Sequence, residues 1–153
     1  MKNARMRIPI LLMLCLICQP MLRSAQTASP TASPAETREL RSDLITLFQA
    51  MKDGDVATIE QHCSGPMLAE YKTLFEQNQE YPAFLRNFYK GATFSIGSVK
   101  PRPDGEMTVE AIIELGGGSK SITRLNVKRF EGSSPKWKVT DVVRDARTAN
   151  RSE

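Results

Sequence analysis

The stretch "ELGGGSKS" (114–121) gathers residue types that hold phosphates: three glycines whose amides allow close approach, and a lysine between two serines. A Walker-type loop needs Gly-Lys-Ser in direct succession, an earlier glycine at a fixed distance and a helix afterwards. Ser119 separates Gly118 from Lys120 and a strand-like alternation follows, so a nucleotide site is not expected here. His62 is the sole histidine, and Cys63 is the sole cysteine beyond residue 18, so no metal cluster is expected. No cofactor is expected either. His62 falls at a helix end, where it satisfies the last carbonyls. Cys63 reads as a small buried residue, with an intermolecular disulfide or a reactive thiol as alternatives. Tyr71, Tyr81 and Tyr89 read as core edges. The remaining candidate for acid–base work is Asp141, which alternates onto the same face as Trp137, Val139 and Val143. Desolvated beside an indole, its carboxyl would titrate high and act as a base. At a solvated sheet end, or paired with Arg144, it would be inert.

The elements that position these groups divide at Gly91. Ser33, Pro34 and Glu36 form a helix start: a capping serine, proline at the first helical position and a glutamate three residues after the cap. Leu40, Leu44, Leu47, Phe48 and Met51 then fall on one helical stripe, which ends at "KDGD" (52–55). Asp55 caps a short second helix with Val56, Ile59 and Cys63. Pro66 opens a third with Leu68, Tyr71, Leu74 and Phe75. Pro82 opens a fourth with Phe84, Leu85 and Phe88. Beyond Gly91 the period drops to two, giving strands at 92–100, 106–115, 119–130 and 136–144. The breaks "PRPDG", "GGG" and "EGSSP" are short, so the strands form an antiparallel meander. The fold class is α+β: N-terminal helices packed on a curved, cone-like four-stranded antiparallel sheet.

Register follows from charge. If 116–118 is a three-residue loop, paired residues sum to 234, and Glu114, Glu110 and Glu106 meet Lys120, Arg124 and Lys128. A shift by one residue would destroy this ladder and the apolar pairing of the other face together. A turn at 103–105 places Gly97 beside Ala111, Ser95 beside Ile113 and Ile96 beside Ile112. A loop at 131–135 places Val127 beside Val139, Leu125 beside Asp141 and Arg129 beside Trp137. Two surfaces result. One faces the helices with a row of small residues: Ser95, Gly97, Ala111 and Thr123. With Trp137, Asp141 and Tyr71, these make the candidate ligand-binding set. The other carries the charge ladder and an apolar group, Phe94, Ile96, Ile112 and Ile122, proposed as a homodimer patch.

Residues 1–25 read as a secretory signal peptide: Lys2, Arg5 and Arg7, then the apolar run "IPILLMLCLI", then a cut after Ala25 or Ala28. An uncleaved anchor is the alternative. Residues 26–33 are a Ser/Thr/Pro/Ala tether, 34–145 the domain and 146–153 a polar tail. The chain has 21 Lys and Arg against 17 Asp and Glu, and residues 1–25 hold four of the cations and no acid. The remainder is balanced at 17 and 17, which gives no basis for a nucleic-acid partner or a membrane surface once the signal is removed. The expected location is secreted or periplasmic.

The helix-turn-helix run "LFQAMKDGDVATIEQHCS" and the closing strand "SPKWKVTDVV" resemble the nuclear transport factor 2-like (cystatin-like cone) superfamily, in particular its small secreted bacterial members related to lumazine-binding-like domains. The resemblance covers about residues 34–144. It implies a sheet wrapped round helices with an internal pocket. The superfamily holds small isomerases, hydrolases and dehydratases beside non-catalytic binding modules, so fold alone does not assign a function. Its catalytic members place Asp, His and Tyr inside the cone, and no firm pair of that kind occurs here. The primary expectation is a non-catalytic exported domain that binds a small apolar ligand or mediates protein association. The alternative is a small cofactor-independent enzyme with Asp141 as base.

Overall fold

A computed structural model describes residues 33–143. The expected signal peptide, nearly all of the tether, Arg144 and the tail lie outside the described residues. The order is four helices then four strands: α1 (Pro34–Asp53), α2 (Val56–His62), α3 (Gly65–Gln77), α4 (Tyr81–Phe88), β1 (Thr93–Pro101), β2 (Met107–Glu114), β3 (Lys120–Arg129) and β4 (Trp137–Val143). The strands form one open antiparallel sheet in the order β1-β2-β3-β4, and the fold is α+β as expected.

The local signals act as the sequence implies. The Ser33 hydroxyl accepts from the Glu36 N–H while the Glu36 carboxylate accepts from the Ser33 N–H, closing a capping box. Gly54 ends α1 in the left-handed conformation (φ 62°). A side chain there would also meet the Pro82 carbonyl at 2.5 Å, so this glycine lets α4 approach the end of α1. Asp55 caps α2 through the Thr58 N–H. The α1 stripe is buried over Leu40, Leu44, Leu47, Phe48 and Met51. On α4 only Leu85 is buried; Phe84 and Phe88 remain about half exposed, at 51% and 49%.

α1 lies in the concavity of the sheet and touches both of its edges. Arg41 donates to the carbonyls of Ile96 (3.1 Å) and Gly97 (3.4 Å) on β1, and Lys52 donates to the Ala92 carbonyl (2.9 Å) just before it. Asp43 accepts the Trp137 N–H of β4 at 2.9 Å. Residues two apart on a helix project about 200° apart, so one helix can satisfy both edges only if the sheet curls around it. These contacts, with the Ser64 N–H bonded to the Val139 carbonyl, occupy edge groups that would otherwise template another strand.

The central hairpin has the expected register: every β2–β3 pair from Met107↔Val127 to Glu114↔Lys120 sums to 234. Leu115 N–H bonds the Ser119 carbonyl and Gly118 N–H the Leu115 carbonyl, with Gly118 at φ 81°. The glycines therefore turn a hairpin. The outer registers start as expected and then slip. Val99↔Val109 is followed by Ile96↔Ala111, so Gly97 and Ser98 together oppose Glu110 as a β-bulge. Val127↔Val139 is followed by Asn126↔Asp141, which makes Thr140 the extra residue on β4.

Candidate functional site

Each bulge reverses the facing of the residues beyond it. On β1, Phe94 and Ile96 turn inward: Phe94 stacks on Phe48 of α1 at 4.7 Å, and both pack against the core. Ser95 and Gly97 turn outward. Ser95 pairs with Ile112, and a side chain on Gly97 would meet Ile112 Cδ1 and Glu110. On β4, Val142 turns inward beside Leu125, while Asp141 becomes exposed and accepts the Val142 N–H at 2.8 Å.

Three placements expected from the sequence are thereby corrected. Ser95 and Gly97 do not share the helix-facing row with Ala111 and Thr123. Asp141 does not share the inner face with Trp137 and Val139 and lies exposed. Phe94 and Ile96 do not join Ile112 and Ile122, whereas Val143, expected inside with Val139, pairs with Arg124 and turns to the outer face. A fourth correction comes from distance. Trp137 is buried, but it pairs with Arg129, six residues along β3 from Thr123. That spans about 20 Å, so the indole lies at the other end of the sheet from the small row.

What remains of that row lines a cavity of about 140 Å³. Ala111, Ile113, Thr123 and Leu125 form its sheet wall, and β4 adds Val139 and Val142. Leu47, Phe48 and Met51 of α1 face them, with Met67 and Tyr71 of α3 and Tyr89 closing the side. Of the expected set, the structure brings together Ala111, Thr123 and Tyr71. The cavity exists because Ala111 and Thr123 are short where larger strand residues would reach the helices.

A second cavity, of about 100 Å³, shares the walls Met67, Tyr71 and Val142 and adds Glu70, Leu74 and Tyr81. Met67, Glu70, Tyr71 and Leu74 recur at i, i+3, i+4 and i+7, one face of α3. The glutamate interrupting that apolar stripe was the sequence signal for this second chamber, and reading the stripe from its apolar members alone missed it.

The chemistry of the walls is sparse. Tyr71 is buried and its hydroxyl donates to Met51 Sδ at 3.9 Å, a weak acceptor. Burial first, then neighbouring acidic groups, pushes its pKa well above the ordinary tyrosine value, so it stays protonated as a donor. Tyr89 and Tyr81 are raised too, mainly by burial, with the Glu70 charge adding to Tyr81. His62 is buried against α2 with Nδ1 2.9 Å from the Thr58 carbonyl, a structural role. Cys63 is 1% exposed, and burial pushes its thiol up to about 12, away from reactivity. Among the described residues no group of His, Cys, Asp and Glu could hold a metal, and no helix is long and apolar enough to cross a membrane. Comparison with protein-family models, curated proteins and solved structures gave no match.

Proposed function

We propose that this domain is a non-catalytic binding module whose cavity takes a small, largely apolar molecule. The observation that carries this reading is the space between the α1 stripe and the short residues Ala111 and Thr123. Apolar cavities of about 150 Å³ accept a molecule the size of benzene, and this one measures about 140 Å³. The Tyr71 hydroxyl, held among the described residues by a thioether, offers a ligand one directed hydrogen bond. Among the described residues no ionised side chain lines the first cavity, which favours binding over acid–base catalysis. Asp141, the base of the enzymatic alternative, is exposed and is absent from the described lining of this cavity, which counts against that alternative.

The sheet curled round α1 accords with the cone of the nuclear transport factor 2-like superfamily, and membership remains part of the proposal. So does export to the periplasm or exterior, which rests on the N-terminal basic and apolar sequence.

A native mass-spectrometric screen of small apolar compounds against residues 26–153 tests the reading, with Ala111→Phe as control. The wild type should retain a ligand that Ala111→Phe releases. The added ring fills the space, and overpacking destabilises by about 1–3 kcal/mol. Retention of the same ligand by a folded Ala111→Phe protein would remove the cavity from the account.

A further inference from the structure

We propose that the ligand is a carbonyl compound: its apolar part fills the cavity under Ala111 and Thr123, and its carbonyl oxygen accepts the hydrogen of the Tyr71 hydroxyl. This rests on the cavity reading above and adds the chemical class of the ligand.

Three observations point to it. The first is where the donor lies. Tyr71 and Met51 both line the cavity, and the hydroxyl of one donates to the sulfur of the other at 3.9 Å. The contact joins two wall residues, where an entering molecule can compete for the proton. The second is the quality of the present acceptor. A thioether accepts weakly. A carbonyl oxygen that replaces it gives the hydroxyl a hydrogen bond of ordinary strength and leaves behind a sulfur that needs no partner. A hydrocarbon offers no such exchange, and an alcohol brings a proton of its own that must also be satisfied once buried. The third is that the donor is permanent. Burial first, then neighbouring ionisable groups beginning with Cys63, hold the buried Tyr71 well above the ordinary tyrosine pKa, so the proton stays on its oxygen at neutral and mildly alkaline pH. An apolar site with one directed polar group is the usual way to fix the orientation of a small ligand. There is room for a molecule larger than benzene, because the adjoining cavity of about 100 Å³ shares the walls Met67, Tyr71 and Val142.

The matched probes are acetophenone and α-methylstyrene, which carry an oxygen and a methylene group at the same place on one skeleton. Binding is read from the methyl shifts of Met51 and Met67. The ketone is the better hydrated of the two, so the informative quantity is the change in their affinity ratio between wild type and Tyr71→Phe. Loss of the hydroxyl should weaken acetophenone about fivefold, the size of one net hydrogen bond, and leave α-methylstyrene unchanged. The carbonyl stretch of bound acetophenone should lie at lower frequency in the wild type than in Tyr71→Phe. Met51→Leu, a volume-conserving change, is the second variant. It frees the hydroxyl from the sulfur and should tighten acetophenone relative to α-methylstyrene, read at Met67. A ratio that Tyr71→Phe leaves unmoved or, should that variant not fold, that Met51→Leu leaves unmoved would overturn the carbonyl assignment and leave the cavity reading intact. Failure of both probes to shift either methionine would overturn the cavity reading and this inference with it.

Discussion

Glu36 serves two tasks with one carboxylate. It accepts the Ser33 N–H in the capping box and pairs with Arg129 of β3 at 2.8 Å, so it ties the start of α1 to the sheet. The Ser33 backbone and side chain first, then the Arg129 charge, hold its pKa below the ordinary 4.5. A depressed carboxylate pKa means the unfolded chain takes up the proton first as pH falls. The stabilisation is thus complete above about 4.5 and is lost as pH drops through the lower folded value. Glu110, held down by the Ser98 side chain and backbone, acts in the same direction, as do Asp55 and Asp104. The part due to Glu36 is therefore read as a difference. Urea midpoints of wild type and Glu36→Gln should differ at pH 6 and converge toward about pH 3. A gap that stays constant over that range would mean the carboxylate contributes nothing specific.

The two bulges decide which side chains enter the core. Deleting Ser98 removes the extra residue of β1 and leaves a regular ladder in which Phe94, Ile96 and Val99 all keep the inner face. Burial of each such side chain is worth about 1.5–3 kcal/mol, so the deletion, which exposes none of them, should destabilise the domain in chemical denaturation by less than one such burial. A loss of about 3 kcal/mol or more would show that the regular ladder cannot close round α1. The same bulges mark the limit of what the sequence disclosed. Helix starts and the end of α1 were legible because Ser33, Pro34, Gly54 and Asp55 act through contacts within a few residues. The β2–β3 register was legible because a charge ladder and a three-glycine loop agree on it. Gly97-Ser98 and Thr140 carry no comparable local mark. Their extra residues follow from curling the sheet round α1, a tertiary demand that alternation within a strand does not reveal. Ala111, Thr123 and Tyr71 were found because they lie inside the regular part of the sheet or on a regular helix. Ser95, Gly97, Phe94, Ile96 and Asp141 were misplaced because they lie beyond a bulge.

At the scale of the molecule, the apolar side chains that suggested sheet-to-sheet pairing are divided between two faces. Of the four expected in that patch, Ile112 and Ile122 remain outside, with Ile122 62% exposed. Ile122→Lys should accordingly alter stability by no more than about 0.5 kcal/mol and leave the sedimentation coefficient unchanged; a fall in mass would restore the sheet dimer. The interior is the more consequential surface, because one helix satisfies both sheet edges and the small residues beneath it leave space. The direct measurement is a benzene titration followed by the methionine methyl resonances of the domain. Met51 and Met67 line the cavity, whereas Met107 belongs to the core but not to the cavity wall. The account predicts saturable shifts at Met51 and Met67 with Met107 nearly still, and their loss in Ala111→Phe. Absent shifts, or shifts of equal size at all three methyls, would contradict it.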